Sequence, residues 1–147
     1  QVGKPIRLDV EQIVKDTRSA GINVVANYIF GLPEDNWDTM NETFEQAMRI
    51  NAEVANFYSA MAYPGTRLYT LAQKENWELP TEWSGFSQHS YEATPVPTKY
   101  LKAKDVLAFR DKAFLDYHNS PNYLNMIEGK FGVQAVNFIK EICWWKY

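Results

Sequence analysis

The chain has 147 residues and a formal net charge of −3 with no basic cluster, which disfavours nucleic-acid binding through phosphates. Hydrophobic content of 46% and charged content of 22% suit one globular domain with a real core, and no apolar run reaches membrane-spanning length. A single cysteine, Cys143, excludes an internal disulfide framework and fits a reducing, cytoplasmic setting.

The chain opens on Gln1 rather than Met and leads straight into a helix, so it reads as a piece of a longer polypeptide. Residues 9 to 20 have helical spacing, with Val10, Ile13, Val14 and Thr17 on one face. Asp9 is placed to cap this helix, with Gln12 as a capping-box partner, and Gly21 ends it. Ile22 to Phe30 reads as a strand. Alternation puts Ile22, Val24, Ala26, Tyr28 and Phe30 on one face, and Asn23, Val25, Asn27 and Ile29 on the other. Gly31-Leu32-Pro33 turns the chain. A second helix follows a cap at Asp35 or Asn36, with Trp37, Met40, Phe44, Ala47 and Met48 as its buried stripe.

Ala55 to Ala62 is the next strand, ending in Tyr63-Pro64-Gly65-Thr66, where Pro then Gly at the centre demands a type II turn. Thr66 caps a third helix, Arg67 to Lys74. Glu75 to Thr98 shows no periodicity but carries Trp77, Trp83, Phe86 and Tyr91, a load that argues against disorder. It is expected to cross the sheet or cover a pocket mouth. Three helices follow: Ala103 to His118, Pro121 to Glu128 and Val133 to about Trp145, with Ser120-Pro121 opening the second and Gly132 separating the last two.

The segments Asn27-Tyr28-Ile29-Phe30-Gly31-Leu32-Pro33 and Tyr63-Pro64-Gly65-Thr66, with their order and spacing, resemble the second half of a radical S-adenosylmethionine (SAM) domain. The group that carries a cobalamin-binding domain ahead of the radical SAM domain is the nearest in pattern. Trp83 to Tyr91 and the helix containing Phe109-Arg110-Asp111 resemble the extension that follows the barrel in that group. The resemblance implies an α/β fragment of a partial (β/α) barrel with parallel strands, followed by a long loop and a helical extension. It divides the chain into residues 1–74 for the half-barrel, 75–98 for the aromatic loop and 99–147 for the extension. The family's CxxxCxxC loop, whose thiolates hold an iron–sulfur cluster, is missing here, so this piece is expected to be inactive alone and to supply the far wall of the pocket.

The resemblance also implies SAM contacts at Asn27 through a ribose hydroxyl pair, at Gly31 by close backbone approach, and at Met61 and Ala62 through backbone groups that read adenine. Asn27 can equally satisfy neighbouring backbone, and Gly31 can be a turn glycine. Tyr63 and His89 are weaker substrate contacts, each with a structural alternative. Neither His89 nor His118 has a second ligand at metal spacing, and no catalytic residue stands out. The expected partners are a small-molecule substrate, the remainder of the polypeptide and a second copy through exposed sheet, with SAM, an iron–sulfur cluster and cobalamin as the parent's cofactors. The rival reading is a non-enzymatic interaction module built on the aromatic loop and Trp-rich tail.

Overall fold

The computed structural model describes residues 9–88 and 90–145. Helix α1 (Val10–Ser19) is capped by Asp9, whose carboxylate accepts from the Gln12 amide at 3.1 Å. The box is only half made, because the Gln12 side chain turns to Asp16 instead. Strand β1 (Val25–Phe30) follows, then α2 (Trp37–Ile50). Asn36 is the α2 cap, and its side chain and that of Thr39 satisfy each other's backbone N–H groups. Asp35 instead closes the preceding turn by accepting from the Leu32 amide at 2.9 Å. Strand β2 (Val54–Ser59) is followed by α3 (Arg67–Lys74), capped by Thr66. The long loop contains one turn of 3₁₀ helix at Trp83–Phe86. Helices α4 (Ala103–His118), α5 (Pro121–Phe131) and α6 (Val133–Trp145) complete the chain.

The two strands pair in parallel, Val25 with Val54 through Phe30 with Ser59. A parallel pair needs a crossover, and α2 supplies it. Both strands alternate in burial. Tyr28, Phe30, Ala55 and Phe57 are buried against helices, with Met40 and Ala47 of α2 and Val106, Ala113 and Tyr117 of α4. This core is aromatic: Phe30 stacks on Phe57 at 5.9 Å and meets Phe109 edge-on at 4.9 Å. The other face of the sheet carries Val25, Ile29 and Val54 at 60%, 44% and 46% exposure. The described residues thus form a βαβ unit covered on one side, a mixed α/β arrangement compatible with a partial barrel.

Three boundaries differ from the sequence reading. The strand begins at Val25 rather than Ile22, because the Val24 amide is taken by the Glu53 carboxylate. Ala60 to Ala62 leave the ladder, since β1 turns away at Gly31 after the Phe30 carbonyl accepts from the Ala60 amide. Helix α5 runs on to Phe131, because Gly129 does not interrupt it. Trp37, expected in the buried stripe, is 48% exposed.

Candidate functional site

Asn27 projects from the uncovered face, as the alternation predicts, and not towards the helices. Its register partner is Asn56, and the Asn56 Nδ2 donates to Asn27 Oδ1 at 2.9 Å. Val25 and Val54 flank this carboxamide pair on one side and Ile29 and Tyr58 on the other. The face therefore offers neutral donors and acceptors within an apolar frame, without a formal charge. Asn56 was not singled out from sequence; its position opposite Asn27 was available only through register.

The remaining predicted contacts lie at the carboxyl ends of the strands. Gly31 is four residues beyond Asn27, about 13 Å along a strand at ~3.3 Å per residue. Its φ of +79° is one that glycine adopts freely, and a Cβ there would sit 2.4 Å from Val106 Cγ1 of α4. The missing side chain thus admits the helix. Met61 and Ala62 are 5% and 2% exposed. Ala60 and Ala62 are covered by Val96 of the loop, with Leu32, Leu68, Trp77 and Leu79 packed alongside. The Met61 carbonyl accepts from the Tyr63 amide at 3.1 Å, and the half-exposed Tyr63 ring stacks on Phe86 at 6.1 Å. Asn27 on the one hand and Gly31, Met61, Ala62 and Tyr63 on the other form a track along the strands, not one cluster. His89 lies outside the described residues.

The aromatic loop is a strap across these strand ends. The Gln88 side chain occupies the place of a neighbouring strand: its Nε2 donates to the Ser59 carbonyl at 2.7 Å, and its Oε1 accepts from the Ser59 amide at 3.2 Å. The Gln88 carbonyl accepts from Arg110 Nη1 at 2.9 Å. Arg110 is 8% exposed, and its Nε lies 2.7 Å from Asp111 in an ion pair without directed hydrogen-bond geometry. Further along, the Val96 amide donates to the Ala60 carbonyl and the Lys99 amide to the Pro33 carbonyl.

At the opposite end of the sheet the Glu53 carboxylate, its side chain 1% exposed, accepts from Arg18 at 3.0 and 3.2 Å, from the Val24 amide at 3.0 Å, and from Lys130. Arg18 also donates to the carbonyls of Ile50 and Asn51. Burial pushes the Glu53 carboxyl up, but the hydrogen bonds from Arg18 and Lys130 and those from backbone amides outweigh it and hold the group at about 2. Tyr117 and Tyr123 donate to the carbonyls of Ala52 and Glu53, and burial raises both phenols, Tyr123 to about 12. This cluster ties α1, α4 and α5 to the start of β2. Sequence reasoning missed it because its members are 35 and 77 residues apart.

Among the described residues no three His, Cys, Asp or Glu side chains come together to hold a metal ion. Cys143 is buried on α6. One thiolate on that helix does not fit the three-thiolate requirement of an iron–sulfur cluster. No described helix is long and apolar enough to cross a membrane.

Comparison with known proteins gives one relation. The chain is similar to an uncharacterized methyltransferase of Pyrococcus horikoshii, with 25% identity over 112 residues. The match covers 76% of this chain and 24% of that protein, so the chain spans about a quarter of its relative. No family model matches, and no solved structure matches.

Proposed function

We propose that this chain is the carboxyl-terminal half of a radical SAM domain in a methyl-transferring or related enzyme, and that it forms the distal wall of the SAM and substrate pocket. The observation that carries this reading is the asymmetry of the sheet. One face is sealed by α2 and α4, while the other displays Val25, Asn27, Ile29, Val54 and Asn56 uncovered. A βαβ unit with a bare inner face is what half of a barrel leaves when the remaining strands are supplied elsewhere. The likeness to part of a larger methyltransferase supports methyl-transfer chemistry in the parent.

In this reading cysteines outside this chain would hold an iron–sulfur cluster, which would supply the reducing chemistry that cleaves SAM, and no described residue of this chain holds it. This chain contributes position. Asn27, oriented by Asn56, meets a ribose hydroxyl, and the Gly31, Met61 and Ala62 backbone borders the adenine end. Tyr63 narrows the mouth towards the substrate, and His89 is a proposed substrate contact on the strength of the resemblance alone. Cobalamin is a proposed cofactor of the parent on the strength of the resemblance alone. In the polypeptide that carries this segment, Asn27→Ala weakens SAM binding by a few-fold to tenfold, the value of about 0.5–1.5 kcal/mol for one neutral hydrogen bond, and leaves the cluster spectrum intact. Unchanged SAM affinity would remove Asn27 from the site.

The second reading is a protein-interaction module. The exposure of Trp83, Tyr91 and Trp144, at 76%, 104% and 77%, favours it. A CxxxCxxC loop encoded upstream of Gln1 would decide for the enzyme.

A further inference from the structure

The outer edge of β2 is closed at both ends and open between them. The Val54 and Ala60 amides donate to the Val24 and Phe30 carbonyls, so Val54, Asn56 and Tyr58 turn their main-chain groups towards β1, while Ala55, Phe57 and Ser59 turn theirs outward. Ser59 is met by a side chain: Gln88 Nε2 donates to its carbonyl at 2.7 Å, and Gln88 Oε1 accepts from its amide at 3.2 Å. One planar carboxamide thus satisfies a donor and an acceptor on the same edge. At the other end Tyr117 and Tyr123 donate to the carbonyls of Ala52 and Glu53. Ala55 presents the same outward pair as Ser59, about 13 Å back along the strand at ~3.3 Å per residue, and neither group has a hydrogen-bond partner among the described residues. An unmet main-chain pair at a buried residue is uncommon and unfavourable.

Ala55 lies at the floor of a groove of about 340 Å³ beside the strand, a size suited to a small molecule. The walls are apolar and largely aromatic, with Phe114 of α4, Phe131 of α5, and Phe138 and Ile142 of α6. Phe131, Phe138 and Ile142 are 47%, 63% and 40% exposed, so a ligand seated here removes apolar surface from water. The one carboxylate among the described lining residues, Glu53, is taken by Arg18, Lys130 and the Val24 amide, which leaves it no demand for a cation. We propose that this groove binds a small neutral aromatic molecule bearing a primary carboxamide, whose amide edge meets Ala55 as Gln88 meets Ser59. The carboxamide N–H donates to the Ala55 carbonyl, its oxygen accepts from the Ala55 amide, and the ring lies among Phe114, Phe131 and Phe138. A peptide strand fits less well, because Gln88 and Tyr123 stop the edge on either side of Ala55. The inference goes beyond the SAM reading and does not rest on it.

The test uses the whole ¹⁵N-labelled chain with benzamide as the probe. Benzamide binds in about the millimolar range, as a ligand of this size allows, and shifts the Ala55 amide first. N,N-Dimethylbenzamide keeps the ring and the carbonyl but has no N–H, and it binds about tenfold more weakly. Ala135→Phe fills the groove from α6 and abolishes the benzamide shift while the circular dichroism spectrum is unchanged. Phe138→Ala, at a position 63% exposed and so dispensable to the fold, weakens benzamide several-fold and keeps the test decisive if the larger side chain at 135 disturbs α6. An Ala55 amide that does not respond to benzamide, a dimethyl derivative that binds equally well, or a blocked alanine–valine–alanine peptide that shifts Ala55 at lower concentration than benzamide overturns the proposal. No S-adenosylmethionine is present, so failure here leaves the SAM reading standing, and failure of SAM to bind leaves this site standing.

Discussion

Replacing Glu53 by Gln removes the one anion that holds Arg18, Lys130 and the Val24 amide together. The carboxylate side chain is 1% exposed, whereas Arg18 and Lys130 are 27% and 37% exposed, so after the change the cations recover part of their hydration. Arg18 also keeps the carbonyls of Ile50 and Asn51. The full cost of about 3–5 kcal/mol for breaking a buried pair is therefore reduced, and a loss on the order of 2–3 kcal/mol at pH 7 is expected. The pH dependence gives an independent route to the same figure. With the folded carboxyl at about 2 against an ordinary 4.5, the difference is worth up to roughly 3 kcal/mol at ~1.36 kcal/mol per unit. A depressed carboxyl stabilises the fold fully above pH 4.5, and this contribution is lost as the pH falls towards 2. Urea unfolding followed by circular dichroism should show Glu53→Gln less stable at pH 7, with a melting point lower by about 5–10 °C. The gap between wild type and variant should close between pH 4.5 and 2. A variant within 0.5 kcal/mol of wild type at pH 7, or a gap that does not change with pH, would refute the assignment of Glu53 as a stabilising ionised anchor.

Two further perturbations test the strand ends. Gln88→Ala should speed hydrogen exchange at the Ser59 amide and across residues 90 to 98 while leaving α2 and β1 unaffected, because it removes the side-chain bonds that seat the strap and costs on the order of 1–2 kcal/mol locally. Gly31→Ala should destabilise by about 2 kcal/mol or more, from an unfavourable φ and from the clash with Val106, and Val106→Ala should recover only the steric part.

Much of this architecture is legible in the sequence because its signals are local. Asp9, Asn36, Thr66 and Ser120 cap the helices that their neighbours predict, and Gly65 takes the positive φ that its turn requires. The alternation that separates Asn27 from Tyr28 is a property of any strand and placed Asn27 on the correct face. What escaped was long-range. Nothing near Gln88 announces that its amide will imitate a strand 29 residues away, and nothing near Glu53 announces Lys130. Asn56 lies within a strand that sequence did identify, yet its pairing with Asn27 follows from register, which single-strand patterns do not fix. A glycine at position 31 is equally compatible with ligand approach and with close packing; the neighbour that fills its open side belongs to α4, 75 residues further on.

The central claim is that the bare face and strand ends of this βαβ unit form a wall of a SAM pocket. Titration of the ¹⁵N-labelled chain with S-adenosylmethionine, followed by amide shifts, tests it directly. With only one wall present, binding is expected near the millimolar range, about −4 kcal/mol. Shifts should appear first at the side-chain amides of Asn27 and Asn56 and at the backbone of Gly31 and Tyr63, and Asn27→Ala should reduce them. Shifts confined to the apolar groove lined by Phe114, Ile127, Ala135, Phe138 and Ile142 of α4, α5 and α6, or a spectrum unchanged at saturating ligand, would contradict it.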